Sequence, residues 1–143
     1  MIKNLSVVGL DDIPEAHDVP LDNLINVFKT ITQMEAICTK MNGIGLSATQ
    51  VGIPWKLFVI RKQDCYEYYL NCQYEGSGDF QLSVEGCLSL LSKNGLPRRF
   101  EVQRYKKIKF IGKQLKVDMK LGIILEDINV VVEDLHAVVI QHE

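Results

Sequence analysis

Long hydrophobic runs, charge of one sign and paired cysteines are all missing from this 143-residue sequence, and each absence removes a class of protein. No apolar stretch approaches the roughly 18 residues that a membrane-spanning helix needs, so a soluble protein is expected. The 16 Lys and Arg against 18 Asp and Glu leave a formal net charge of -2, which gives no global electrostatic reason to bind DNA or an anionic membrane. The four cysteines, Cys38, Cys65, Cys72 and Cys87, form no C-x-x-C pair and no dense framework. Free thiols in a reducing compartment are therefore expected, not a disulfide scaffold. The opening MIKNLSVVGLDDIPE has one Lys and a short apolar patch quickly broken by acidic residues, unlike a secretory signal. A cytoplasmic protein follows as the expectation. There is also no repeat, no low-complexity tract and no linker, and 47% apolar content is enough for one real core. Residues 1–143 are read as a single domain.

What is present begins with a helical period. Leu24, Ile25, Phe28, Ile31, Met34, Ile37, Cys38 and Met41 recur at spacings of three and four, which predicts a long helix from Leu21, with Pro20 suited to its first turn and Gly43 to its end. Strands are predicted at Leu57–Ile60, Tyr66–Leu70, Lys107–Ile111, Gln114–Met119 and Ile128–Val132, with Gly residues separating the later ones. The closing stretch EDLHAVVIQHE carries Leu135, Val138, Val139 and His142 on one helical face, with Glu133 or Asp134 near the start. The fold class expected is α+β: antiparallel sheets around a C-terminal helix, preceded by a long N-terminal helix.

Three short stretches carry chemistry, although each has an ordinary structural reading. GIGLSATQVG, Gly43 to Gly52, has glycines that let a ligand approach the backbone and a Gln50 donor beside them; by itself it is also a common helix-to-strand connection. EGCLSL, Glu85 to Leu90, puts Cys87 where its thiolate could ligate a metal while the next backbone N–H faces an oxyanion, but a buried Cys is more often a small core residue. AVVIQHE ends on His142 and Glu143, half of a helical metal motif, and a lone His on an apolar face is usually a satisfied core residue.

Taken together and in this order, Gly-x-Gly-Leu-x-Ala-x-Gln, Glu-Gly-Cys-Leu-Ser and Gln-His-Glu resemble the peptide deformylases, over a span from about Leu21 to the last residue. The resemblance implies a hydrolase that uses one divalent metal ion, Fe²⁺ or Zn²⁺ with Ni²⁺ or Co²⁺ as substitutes, to remove the formyl group from the N-terminal methionine of new polypeptides. It implies Cys87 and His142 as metal ligands, and Glu143 as the general acid and base for water activated by the metal. Gln50 and the Leu88 backbone N–H would stabilise the oxyanion. The peptide would lie along Gly43, Ile44 and Gly45 as an added strand, with its methionine against Ile44, Leu135, Val138 and Val139.

The sequence departs from the family pattern at Ser47, where Ala is usual, and at Cys72, where Pro usually follows the Asn. The arginine that often follows the second motif is not identifiable. The sequence also stops within the third motif, before the second His of His-Glu-x-x-x-His. A chain ending there is expected to hold metal weakly and to turn over little, which makes a formyl-peptide-binding remnant the alternative reading. A thiol enzyme with Cys87 as nucleophile is a third class, distinguishable by alkylation against chelation. The expected partner is an N-formylmethionyl peptide, met by a monomer without DNA or membrane. RRFEVQRYKKIKF is the one segment that could touch RNA, as in a transient ribosome contact, and a solvated hairpin is preferred for it.

Overall fold

A computed structural model describes residues 5–63, 65–76, 78–91 and 97–142, with side chains omitted at 88–91, 97–98 and 135–138. It is a mixed α+β fold built on antiparallel sheets. The first long element is helix α1, Leu24–Lys40. Its start is set by Asn23, whose side chain accepts the Asn26 N–H at 3.2 Å and so caps an otherwise unpaired donor. The helix is therefore three residues shorter at its start than the sequence pattern suggests. Its left-handed C-terminal residue is Asn42, at φ 55°, and not Gly43. Asn tolerates that conformation, and the Gly43 N–H then reaches back to the Cys38 carbonyl at 2.9 Å.

Among the described residues seven strands follow: β1 Gly45–Ser47, β2 Leu57–Arg61, β3 Tyr66–Gly76, β4 Phe80–Leu91, β5 Pro97–Tyr105, β6 Lys107–Asp118 and β7 Gly122–Glu133. Five of them form one antiparallel sheet in the order β1-β2-β3-β6-β7, while β4 and β5 pair as a separate hairpin. Helix α2, Asp134–His142, follows β7 without a loop, the chain turning at Asp134 with φ 54°. No described helix is long and apolar enough to cross a membrane.

At β2 the large sheet is buried on both faces, and the alternation of that strand shows why. Leu57 and Val59 join Val27, Ile31, Met34 and Cys38 of α1 in one cluster. Phe58 and Ile60 point the other way, with Tyr69, Phe110 and Ile140 of α2. The α2 face is aromatic: Tyr69 meets Phe110 edge-on at 5.2 Å and stacks on Phe58 at 5.4 Å. Thus the sheet separates α1 from α2. The face expected for α1 is displaced in one respect: Ile25 is 64% exposed, whereas Val27 is buried.

Two strand expectations change. Gly112 does not divide two strands but lies inside continuous β6, because Cys72 packs on it: a Cβ at Gly112 would sit 2.2 Å from the Cys72 sulfur. The β4–β5 hairpin, unpredicted as strands, pairs in register from Phe80↔Tyr105 to Gly86↔Arg99. Asn71, which the deformylase resemblance expects to be followed by Pro, takes φ 54°. The Asn71 side chain accepts the Val19 N–H at 2.6 Å and donates to its carbonyl at 3.3 Å. That pair of bonds holds the irregularity of β3 between Leu70 and Gln73 without a proline.

Candidate active site

The three sequence stretches lie on three different elements: the 3-10 turn after β1, strand β4, and the last turn of α2. Gln50 lies in the turn Ala48–Val51 and is buried. Its side-chain oxygen accepts the Ser47 N–H at 2.9 Å, part of a capping box in which Ser47 also receives the Gln50 N–H. Because the oxygen is engaged with a donor, the amide orientation is settled, and Nε2 donates to the Cys87 sulfur at 3.2 Å. The Ser47 N–H that holds the Gln50 oxygen is backbone and would be there with Ala, whereas the other half of the box uses the Ser47 hydroxyl.

Cys87 and Glu85 are two apart on β4 and so share one face of the strand. From that face Glu85 reaches the His142 Nδ1 at 2.6 Å. The same carboxylate accepts from Arg104 of β5 twice, Nε to Oε2 at 2.8 Å and Nη2 to Oε1 at 2.6 Å. Burial pushes the Glu85 carboxyl up, but hydrogen bonds from Arg104, His142 and Ser83, with the Arg104 charge, outweigh it and hold the group down at about 2. The Arg104 guanidinium is raised in return by its bond to Glu85. Nothing in its residue type sets Arg104 apart from the other basic residues of RRFEVQRYKKIKF. Beside it, Tyr105 accepts and donates through its backbone to the Gln141 side chain, at 2.8 Å for its N–H and 2.7 Å for its carbonyl.

The donor set fits a divalent ion as far as it is described. A sulfur and an imidazole suit Zn²⁺ or Fe²⁺, and the bond at His142 Nδ1 leaves Nε2 as the nitrogen able to ligate. No cluster of three or more His, Cys, Asp or Glu that could hold a metal occurs among the described residues. Glu143 lies outside them, as do the side chains of Leu88, Leu135 and Val138. Leu88 itself is placed on β4, directly after Cys87. Val139 is half-buried against the aromatic cluster. Gly43, Ile44 and Gly45 lead into and begin β1, an outer strand, and Ile44 is 59% exposed. A cavity of about 390 Å³ opens nearby between Trp55, Phe58, Phe110, Ile140 and Gln141, without Cys87 or His142 in its wall.

An α+β scaffold that brings a buried glutamine to a strand cysteine, and a carboxylate to the histidine closing a helix, has close parallels among known proteins. The chain belongs to the polypeptide deformylase family, whose model matches residues 14–143. It is 33% identical over 111 residues to the peptide deformylase of Helicobacter pylori (strain G27), a match covering 71% of this chain and 55% of that protein. The chain thus spans about half the length of the curated relatives it matches. A peptide deformylase from Synechococcus elongatus, solved with actinonin, superposes with a TM-score of 0.78 at 27% identity, over 100% of this chain and 74% of that one. A probable peptide deformylase from Synechococcus phage S-SSM7 gives 0.79 at 25% identity, over 97% and 90%.

Proposed function

We propose that this chain is the core of a metal-dependent hydrolase that removes the N-formyl group from the N-terminal methionine of new polypeptides. The observation that carries the reading is the Gln50 Nε2 to Cys87 contact at 3.2 Å, with the Gln50 oxygen engaged by Ser47. It joins the first two motifs into one site and leaves a buried amide donor beside the sulfur. Cys87 and the Nε2 of His142 would hold the ion. When bound, a divalent ion supplies a Lewis acid and makes a water nucleophile available near neutral pH.

The chain's own residues account for the rest. Gln50 and the Leu88 N–H donate to the formyl oxygen as it gains charge, each worth about 3 kcal/mol in such a role. Glu143 takes the water's proton and returns it to the leaving amine. The substrate adds as a strand to the outer edge of β1, which pairs with β2 alone among the described strands. Its methionine lies against Ile44, Leu135, Val138 and Val139. The protein works as a cytoplasmic monomer on peptide, with neither DNA nor membrane as partner. The basic segment does not form the hairpin expected of it, since β5 pairs with β4 whereas β6 pairs with β3 and β7; Arg104 and Lys107 are paired with Glu85 and Glu133, which disfavours an RNA or ribosome contact there.

The test is formate release from formyl-Met-Ala-Ser by a form in which the third motif is completed with a His four residues after His142, reconstituted with Fe²⁺, Ni²⁺ or Zn²⁺. Gln50→Leu is expected to lower kcat by about 10²–10³, and Glu143→Gln to remove most turnover while the fold survives. Cys87→Ala should lose the metal and Cys38→Ala, whose thiol is buried under α1 and bonds to the Gly43 carbonyl, should keep it. If the completed form, once metallated, released no formate, or if the two Cys variants had equal metal content, the reading would be wrong.

A further inference from the structure

Three surfaces meet at the candidate site: the turn that follows β1, the last turn of α2 and one face of the β4–β5 hairpin. The Gln50 bond to Cys87 joins the first to the third, and the Glu85 bond to His142 joins the second to the third. Ile44 and the helix contribute apolar walls for the substrate methionine, whereas β4 turns Gln81, Ser83, Glu85 and Cys87 toward the site, none of them a large apolar residue. The register of the hairpin shows what β5 adds. Residues directly opposite on antiparallel strands point to one face, so Val102 opposite Ser83 and Phe100 opposite Glu85 lie on the face that carries Cys87. Phe100 is thus the cross-strand neighbour of the carboxylate that meets His142, with the two Cβ atoms about 4.5–5.5 Å apart. It is 45% exposed, although the Glu85 side chain beside it is 10% exposed. A single exposed ring is common on a protein surface. Its place beside Glu85, and not its exposure, points to the substrate.

We propose that Phe100 is a specificity-determining residue for the formyl-methionyl substrate: its ring completes, from the hairpin side, the slot that Ile44 and α2 begin. An aromatic ring is a favourable neighbour for a thioether sulfur, and a methionine side chain in the slot would cover it. A side chain too short to reach the ring, such as alanine, gains nothing from it, so Phe100 separates substrates by their first residue. Phe100 has no group that could ligate a metal or move a proton, and a change there acts through the substrate side chain. The proposal rests on the deformylase reading in taking a formyl-methionyl peptide as the ligand.

Two measurements test it. Calorimetric titration of the whole chain, kept metal-free with a chelator so that no turnover occurs, compares the affinities for formyl-Met-Ala-Ser and formyl-Ala-Ala-Ser. Formate release by the form with the completed third motif compares kcat/KM for the same two peptides. In each the readout is the ratio of methionine to alanine peptide. Phe100→Ala is expected to lower both ratios by about 10-fold, and Phe100→Leu, which keeps part of the apolar area, by less. Leu82→Thr, on the opposite face of the hairpin, should leave both ratios at their wild-type values. Circular dichroism reports whether each variant is folded; if Phe100→Ala is not, Phe100→Leu with the same readouts decides. A folded Phe100 variant of the deciding kind that kept either ratio at its wild-type value would overturn the proposal, as would a wild-type chain with no preference for the methionine peptide. Formate release with unaltered ratios would overturn the proposal alone, whereas a Phe100-dependent affinity ratio without formate release by the completed form would overturn the deformylase reading alone.

Discussion

The two faces of the five-stranded sheet are built by different means. Under α1 the packing is apolar and complete, with Ile31, Met34, Cys38 and Leu46 all wholly buried. Over the other face α2 packs on an aromatic cluster, but its register with the β4–β5 hairpin is set by hydrogen bonds. Three buried polar residues occur among those described, Thr30, Gln50 and Gln141. Thr30 bonds back into its own helix, and the other two bond at or beside the site. Apolar packing is strong but nondirectional, whereas hydrogen bonds contribute less and specify atoms. The division therefore assigns stability to the α1 face and geometry to the α2 face.

The largest effect that would test this division is expected at Met34. Met34→Ala should lower the free energy of unfolding by about 2–5 kcal/mol, read by urea denaturation, while the folded fraction keeps its metal affinity. A loss below about 1 kcal/mol, within the range of an ordinary substitution, would deny the α1 face its role. Next comes Gln141→Leu, which leaves the Tyr105 N–H and carbonyl without their partner and should destabilise by about 1–3 kcal/mol. Hydrogen exchange at the Tyr105 amide should speed up while amides of α1 stay protected.

A smaller effect is expected at high pH. Burial pushes the Cys72 thiol up to about 11 from an ordinary 9. The folded value lies above the unfolded one, so the neutral thiol's contribution is full below pH 9 and is lost as pH rises through 11. Partial exposure of Cys72 screens the effect. Wild-type stability should fall more than that of Cys72→Ala across this range; parallel curves would refute the assignment. The smallest effect is expected on the outer face of the hairpin, where Leu82 is 72% exposed. Leu82→Thr should change stability by no more than about 0.5 kcal/mol, and a larger loss would mean that this face is covered.

How much of this was legible beforehand depended on the range of the interaction. The period of α1 and the apolar runs of β2 and β3 are local patterns, and the elements formed close to where those patterns lie. The hairpin was missed because its pattern is inverted. Phe80, Leu82 and Val84 alternate as a buried face would, yet they point outward, while Gln81 and Glu85 face α2. Gly112 read as a break because its neighbour Cys72, which occupies the missing Cβ's space, lies on another strand. Likewise, nothing in the residue types distinguishes Arg104 from the other basic residues of RRFEVQRYKK.

The sequence by itself determined which residues could do chemistry, since Gln50, Cys87 and His142 stand in motifs whose identity and order survive without a structure. Only the tertiary structure decided which groups meet: Gln50 with Cys87 across 37 positions, Glu85 with Arg104 across 19 and with His142 across 57. Residue type and local period are properties of the chain, but a hydrogen bond needs its two atoms within about 3 Å, and across such separations only the packing of the sheet, the hairpin and α2 brings them there.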